Sequence, residues 1–354
     1  MEEKIYLPLP DGESERTVGA FKKKKAVKAY SRCLLAAVAY MLSATAVMYI
    51  AQLALVLILG TERASEISEN TYFVWGMQVL AMYVIAFPIL LLIVRGIPTA
   101  LRKKSKLGLD EFVIIFLISE AVMTVGAIIS NLLTYALSEL LGYEINNDTS
   151  DLIMDTPVFI VVIVAVIIGP IIEELIFRKI FIDRMSVYGD RLAIIVSSVA
   201  FGIFHGNFSQ AIYATALGFI LGYVYAKTRD IKYSCLLHIM LNFMGTVPTL
   251  LINDSLERIE NISPDAVLSG EDMLTYYSDT MNVLGVTVVQ YMLAIAGAVL
   301  FIYIIKKRAF KVPDGCDVRL PCGTVTRVAF LNLGAILFLL FCIFEFIISI
   351  LPSV

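Results

Sequence analysis

The sequence predicts an all-α fold, a polytopic bundle of transmembrane helices. Its composition is 59% hydrophobic and 17% charged, with a mean hydropathy of +0.83, whereas a soluble domain is about half apolar and a quarter charged. Apolar stretches long enough to cross a ~30 Å hydrocarbon core, about 20 residues each, recur along the chain. The candidate spans are residues 33–60, 72–94, 111–142, 157–181, 192–208, 210–226, 231–253, 283–305 and 328–352.

Two of these spans, 192–208 and 210–226, are short, so the sequence predicts eight to nine crossings. The linkers give the orientation, because Lys and Arg concentrate on the cytoplasmic side of a membrane protein. Basic residues lie in the N-terminal tail, which holds Lys22 to Lys25, and in every second linker, whereas the linkers between them are acidic. This alternation predicts a cytoplasmic N-terminus. The lysine run is thus interpreted as a topology signal, with a lipid headgroup or partner site as the alternative.

The charge pattern also bears on partners. The formal net charge of −3 is an average of basic inner loops and acidic outer loops, so it does not indicate affinity for nucleic acid. We therefore expect the lipid bilayer as a partner and no nucleic acid.

Two linkers separate the last two spans from the middle of the chain, an outer loop at 254–282 and a basic inner loop at 306–327. The sequence shows no internal repeat. The predicted parts are a cytoplasmic basic tail (1–32), N-terminal transmembrane helices (33–156), a block of four spans (157–253), an extracytoplasmic loop (254–282) and C-terminal transmembrane helices (283–354).

The four-span block contains charged residues in an otherwise apolar run. Each charged group at the bilayer centre costs at least ~2.5–3.5 kcal/mol on insertion scales, so such groups face the bundle interior and are functional candidates. In "GPIIEELIFRK", Glu174 and Arg178 are four residues apart and share one helical face, where they can pair. Glu173 points about 100° away and has no partner in its own helix. The spacing thus predicts one neutralised glutamate and one available glutamate.

Both histidines of the chain lie in the same block, His205 in "FGIFH" and His238 in "HIMLN". Histidine titrates near neutral pH and is the commonest metal ligand. Asn242 lies one turn after His238, faces the same way and can donate hydrogen bonds. Counting ~1.5 Å per residue from the nearest cytoplasmic charge places Glu173 and both histidines roughly 12–20 Å deep. These side chains can therefore converge within the membrane.

The motifs EExxxR, FxxxH and HxxxN, in this order on separate helices, resemble those of the CPBP family of intramembrane proteases. The family is named for CAAX proteases and bacteriocin-processing proteins and is also called the Abi family. The resemblance covers about residues 157–253, whereas 1–156 and 254–354 match only as additional spans. It implies that the four-span block is a catalytic core.

The resemblance also implies roles for six residues, which are Glu173, Glu174, Arg178, His205, His238 and Asn242. Glu173 and His205 would activate a water for attack on a peptide carbonyl. His238 and Asn242 would hold the developing oxyanion, and the remaining two would support the first motif. These residue types suit peptide hydrolysis, which needs a base for water and donors aimed where charge develops.

The same groups allow a metal. Two histidines and a carboxylate are a ligand set of catalytic zinc sites, and zinc lowers the pKa of its bound water. Glu173, His205 and His238 are therefore the candidate ligands of one divalent metal, with zinc as the first choice. A metal-free, glutamate-activated water site is the alternative, and the residues do not decide between the two.

Two further intramembrane glutamates, Glu120 and Glu345, belong to no motif. They favour a rival of another class, a proton-coupled secondary transporter whose Glu and His groups carry protons. No inverted repeat of broken helices accompanies them, however. A second rival is a non-catalytic membrane scaffold.

The resulting hypothesis is an intramembrane endopeptidase acting on a membrane-associated protein or peptide. The chain has short loops and no organelle signal, so we expect a multi-pass protein of a prokaryotic plasma membrane. The sequence predicts neither a prenylated substrate nor an oligomeric state.

Overall fold

The computed structural model describes residues 15–145, 152–262, 272–307, 311–321 and 323–351. Regular structure in these ranges is helical, without strands, which confirms the all-α prediction. The helices, numbered in chain order, are α1 (Glu15–Leu59), α2 (Thr61–Glu69), α3 (Thr71–Val94), α4 (Leu109–Leu141), α5 (Val158–Tyr188), α6 (Asp190–Phe204), α7 (Phe208–Thr228), α8 (Ile231–Asn261), α9 (Met273–Lys306), α10 (Val325–Ala329) and α11 (Leu333–Ile348).

Seven of these helices are long and apolar enough to cross a membrane, counted over the described residues: α1, α3, α4, α5, α7, α8 and α9. The chain is thus a polytopic helical bundle. The predicted spans 192–208 and 328–352 correspond to α6 and α11, which have 15 and 16 residues. Both are shorter than the ~20 residues that a straight crossing needs, so the count by length is seven rather than eight to nine.

The predicted boundaries do not coincide with helix ends. Helix α1 begins inside the predicted tail 1–32. The predicted outer loop 254–282 contains the last residues of α8 and the first residues of α9. The division into parts therefore stays a prediction, although α5 to α8 correspond to the four predicted core spans.

Helices α6 and α7 form a hairpin that turns at Gly206, whose φ is +68°. Asn207 caps α7, because its side chain accepts a hydrogen bond from the backbone N–H of Gln210 at 2.9 Å and donates one to the His205 carbonyl at 3.0 Å. The two helices approach closely where a Cβ added to Gly202 would lie 2.7 Å from the Thr215 backbone nitrogen. The hairpin therefore needs glycine at both positions.

The largest core cluster joins α1, α3, α5, α6 and α11. Phe177 of α5 makes edge contacts with the rings of Phe181, Phe201 and Phe204, at centroid distances of 5.2–5.4 Å. Tyr40 of α1 packs against Phe204 at 5.7 Å. This aromatic layer fixes α6 against α5 and so positions the end of α6, where His205 lies.

A buried ionic cluster joins one end of the core helices. The Arg229 guanidinium contacts Asp190 and lies 3.3 Å from the Ser186 hydroxyl and 3.8 Å from Asp183. Tyr225 donates a hydrogen bond to Asp183 at 2.7 Å. Because Asp183 and Ser186 belong to α5, Asp190 begins α6 and Arg229 follows α7, the cluster holds three elements together.

Candidate active site

Helix α5 carries the two adjacent glutamates between two π-helical segments, Val162–Ile168 and Leu175–Ile182. Such segments are rare and occur frequently at functional sites. The first one ends where the Gly169 N–H donates to the Val164 carbonyl, five residues back. The next donor in that register is residue 170, a proline without an N–H. The Ala165 carbonyl is therefore left without a helical partner.

Asn242 of α8 supplies the missing hydrogen bond. Its side-chain Nδ2 donates to the Ala165 carbonyl at 3.1 Å. One N–H of the amide is thus used to satisfy the backbone of α5, while the second N–H remains for another acceptor.

Glu174 and Arg178 form the pair that their spacing predicts. Arg178 Nη2 lies 3.3 Å from Glu174 Oε1, and both side chains are fully buried. The guanidinium carbon also lies 4.5 Å from the centre of the Phe201 ring, a cation–π contact that is stronger away from water. The pair therefore has contacts on α5 and α6.

His238 of α8 lies between the two glutamates. Its Nδ1 is 3.3 Å from Glu174 Oε1, and its Nε2 is 3.7 Å from Glu173 Oε2. The imidazole is almost fully buried, whereas the Glu173 side chain is 28% exposed. Glu173 is thus the more accessible carboxylate, and its close neighbour His238 comes from another helix.

His205 ends α6 and has a defined orientation. Its Nδ1 lies 2.9 Å from the Phe201 carbonyl. A carbonyl can only accept, so Nδ1 carries the proton in this contact and Nε2 holds the lone pair. Within the described part of the chain, Nε2 makes no hydrogen bond. Nε2 is therefore free to accept a proton.

The Phe201 ring joins the two histidine motifs. Its centroid is 5.1 Å from the His205 ring and 5.7 Å from the His238 ring, with both imidazoles nearly perpendicular to it. Phe201 itself is 1% exposed. The structure thus gathers Arg178 and both imidazoles around one phenylalanine.

Three tyrosines near Glu173 were not singled out from the sequence. Tyr40 of α1, Tyr83 of α3 and Tyr213 of α7 all lie close enough to Glu173 to interact with it electrostatically. Their hydroxyls make no hydrogen bond among the residues that the structure describes. They lie on three helices far apart in the chain, so no local pattern could have linked them to the glutamate.

The two glutamates outside the motifs have different surroundings. Glu345 of α11 packs against Gly206, since its Cβ would lie 3.0 Å from a Cβ at that glycine. It therefore lies beside the residue that follows His205. Glu120 of α4 is 8% exposed, and its Oε1 has no hydrogen-bond partner within the described ranges.

The predicted metal ligands do not form a three-ligand group. Over the described residues, no set of three His, Cys, Asp or Glu side chains is arranged to hold a metal ion. Glu173 and His238 face each other, and the contact of His205 Nδ1 with a backbone carbonyl leaves Nε2 as its available nitrogen. The zinc interpretation of Glu173, His205 and His238 therefore stays a prediction, as does the metal-free alternative, and no step below involves a metal.

Comparison with known proteins agrees with the family resemblance of the sequence motifs. A family model described as "Type II CAAX prenyl endopeptidase Rce1-like" matches residues 155–244, a segment that contains all six predicted site residues. The chain is 30% identical over 197 residues to "Putative membrane peptidase YdiL" of Bacillus subtilis, covering 54% of this chain and 77% of that protein.

Two other bacterial proteins match over shorter stretches. "UPF0177 protein YxdF" of Lactococcus lactis is 31% identical over 105 residues, which cover 29% of this chain and 58% of that protein. "Membrane-embedded CAAX protease MroQ" of Staphylococcus aureus is 27% identical over 127 residues, with coverages of 33% and 51%. No solved structure matches the chain.

Proposed function

Because this chain belongs to the CPBP family of membrane peptidases, we propose that Glu173 and His205 activate a water that hydrolyses a peptide bond of a membrane-associated protein or peptide. The observation that carries this proposal is the position of His238 between Glu173 and Glu174, with Arg178 paired to the latter. This is a charged, mostly buried cluster in helices that cross a membrane. Such clusters are retained for function because they are costly.

The two glutamates have separate tasks in this mechanism. Arg178 offsets the charge of Glu174, so Glu174 orients the imidazole of His238 and does not act as a base. Glu173 is the more exposed carboxylate and is available to take a proton from water. His205 assists through Nε2, whose lone pair is left free by the contact of Nδ1 with the Phe201 carbonyl. A positioned base of this kind contributes typically 10²–10⁴-fold to a rate.

The oxyanion of the tetrahedral intermediate needs donors. His238 lies between the two carboxylates, with Nδ1 3.3 Å from Glu174 and Nε2 3.7 Å from Glu173, and Nε2–H is one donor in this proposal. The second N–H of Asn242 is the other donor. Removing one such donor typically lowers kcat by 10²–10³-fold.

The first experiment uses the purified full-length protein in lipid nanodiscs with a library of membrane-spanning peptides. Glu173→Gln keeps the shape of the side chain but removes the base, so we expect peptide cleavage to fall at least roughly a hundredfold. Glu139→Gln is the matched control, because Glu139 is an exposed glutamate on α4, and it should cleave like the unmodified protein. Cleavage should persist in a chelator, since the site residues form no three-ligand group.

Each rival function predicts another result. Under the transporter hypothesis, Glu173→Gln cleaves normally but loses substrate-coupled proton flux in liposomes. Under the scaffold hypothesis, His205→Ala and His238→Ala leave the cellular effect of the protein unchanged. Normal cleavage by Glu173→Gln would contradict the proposed mechanism.

The protein is a multi-pass membrane protein with bacterial relatives. We further propose that it lies in a prokaryotic plasma membrane with its N-terminus in the cytoplasm, which the alternation of basic and acidic linkers supports. The name of the Staphylococcus aureus relative includes CAAX proteolysis. A prenylated peptide is therefore one substrate class to include in the library.

A further inference from the structure

A cavity lies away from the glutamates, at the C-terminal end of α5. Its volume is about 310 Å³, and its walls come from α1, from the turn that follows α3, from the end of α5 and from the loop before α10. The residues that matter for its chemistry are Lys25, Lys28, Arg32, Thr99, Tyr188 and Asp317.

The three basic residues occupy one face of α1, since positions i, i+3 and i+7 of a helix point the same way. Arg32 is held in place, because its Nε donates to the Ile93 carbonyl at 3.1 Å and its Nη2 to the Arg95 carbonyl at 2.9 Å. Lys25 and Lys28 form no ion pair with any described carboxylate. Within the described ranges, the cavity thus has two lysines without a counter-charge, and Lys25 also lies 4.4 Å from the centre of the Phe21 ring.

The acidic residue on the opposite wall does not neutralise these lysines. The Asp317 carboxylate contacts Arg102, which supplies its counter-charge. The wall itself is anchored, because the backbone N–H groups of Asp317 and Val318 both donate to the Val187 carbonyl, at 3.1 and 2.9 Å. The cavity therefore keeps a positive excess in a fixed frame.

Neutral donors complete the lining. The hydroxyls of Thr99 and Tyr188 make no hydrogen bond to the described residues. The turn after α3 leaves room, since a Cβ at Gly96 would meet no atom within 4 Å. Two ammonium groups without a described carboxylate partner and two hydroxyls without a described hydrogen bond lie around one space. They match the donors that phosphate oxygens require.

We propose that this cavity binds a phosphate group, and that the phosphate is the headgroup of an anionic phospholipid. The cavity lies at the ends of α1, α3 and α5, which are long and apolar enough to cross the membrane, and headgroups lie where such helices leave the hydrocarbon. Basic residues at this level attract anionic lipids. The proposal does not depend on the proposed peptidase activity, because its residues lie outside the catalytic cluster.

The test measures lipid retention by native mass spectrometry of the full-length protein, with phosphatidylglycerol compared with phosphatidylcholine. Lys25→Gln combined with Lys28→Gln should weaken retention of phosphatidylglycerol by at least roughly tenfold, since it removes both ammonium donors from the cavity. Lys22→Gln combined with Lys24→Gln is the matched control, because it removes the same charge from the same run outside the cavity. Arg32 is left unchanged, since it also holds the end of α3.

A second arm separates the two sources of phosphate. Inorganic phosphate is titrated at constant ionic strength while the thermal midpoint of the detergent-solubilised protein is measured. Selective retention of phosphatidylglycerol without a phosphate-induced shift supports a lipid site. A shift with inorganic phosphate alone, lost in the cavity variant, supports a site for a free phosphate compound and overturns the lipid assignment. Equal weakening in both double variants, or no selectivity between lipids, would overturn the proposal.

Discussion

Asn242 shows how one side chain can serve both the fold and the chemistry. Its amide donates to the Ala165 carbonyl, which lacks a helical partner because Pro170 has no N–H. A structural role alone would account for an asparagine at this position. The oxyanion role that the family resemblance implies needs the second N–H of the same amide. The two roles can be separated by restoring the helical donor.

We predict that Asn242→Ala lowers both stability and peptide cleavage. Leaving the Ala165 carbonyl without a partner should cost about 1–3 kcal/mol of stability. Pro170→Ala restores an N–H at the position that the π-helical register needs, so the double variant should recover much of the thermal midpoint. Its kcat should stay low if the second N–H of Asn242 holds the oxyanion. Recovery of both stability and kcat would instead show that Asn242 acts only on the backbone.

The α6–α7 hairpin is the element that carries His205 and Phe201. Its helices approach so closely that a Cβ at Gly202 would lie 1.8 Å from the Thr215 hydroxyl oxygen and 2.7 Å from the Thr215 backbone nitrogen. A hydroxyl can rotate away, but a helical backbone atom cannot. A larger residue at Gly202 must therefore separate the helices and move the histidine that follows.

Gly202→Ala should consequently destabilise the protein by about 1–3 kcal/mol, the usual cost of overpacking, and should reduce peptide cleavage. Gly285→Ala in α9 is the control, because a Cβ there would meet nothing within 4 Å. Alanine favours a helix over glycine by up to about 1 kcal/mol, so this variant should keep or slightly raise the thermal midpoint. The thermal midpoints of the two variants are measured by unfolding in detergent. Equal midpoints would contradict the close packing of α6 and α7 at Gly202.

At the scale of the whole molecule, the ionic cluster around Arg229 connects segments that are distant in sequence. Asp190 also accepts a hydrogen bond from the Gly315 N–H at 3.0 Å, while its own N–H donates to the Gly315 carbonyl at 2.9 Å. The loop before α10 is thereby attached to the start of α6. Since that loop also forms a wall of the phosphate cavity, the cluster connects the core to the proposed lipid site.

Arg229→Ala should therefore destabilise the whole molecule, by about 3–5 kcal/mol, because it leaves Asp190 buried without its cation. Arg191→Ala removes an exposed arginine that lies 3.3 Å from Asp314, and exposed pairs contribute roughly 0–1 kcal/mol. Thermal unfolding of the two variants gives the comparison. Arg229 has a φ of +52°, so Arg229→Gly separates backbone strain from charge. A Gly variant as stable as the original protein would contradict the role of the ion pair.

Several features followed from local sequence. Hydropathy gave the helical class, and the i, i+4 spacing gave the Glu174–Arg178 pair, because both depend only on residues close in the chain. Local sequence did not give the number of membrane-spanning helices correctly. Helix α6 is short and ends before a turn at Gly206, and hydropathy alone does not locate that turn. Polar groups in apolar spans made the site residues candidates, whereas their individual roles came from the resemblance of three motifs to a family.

The sequence by itself determined that this chain is a membrane-embedded helical bundle carrying the motifs of a peptidase family. Only the tertiary structure decided that His238 lies between both glutamates, that Asn242 donates to the Ala165 carbonyl and that tyrosines from three other helices lie near Glu173. The physical reason is the separation along the chain of the residues that interact. Helix formation and burial in lipid are set by neighbours within a few residues, whereas these contacts join helices whose relative positions depend on the packing of the entire bundle.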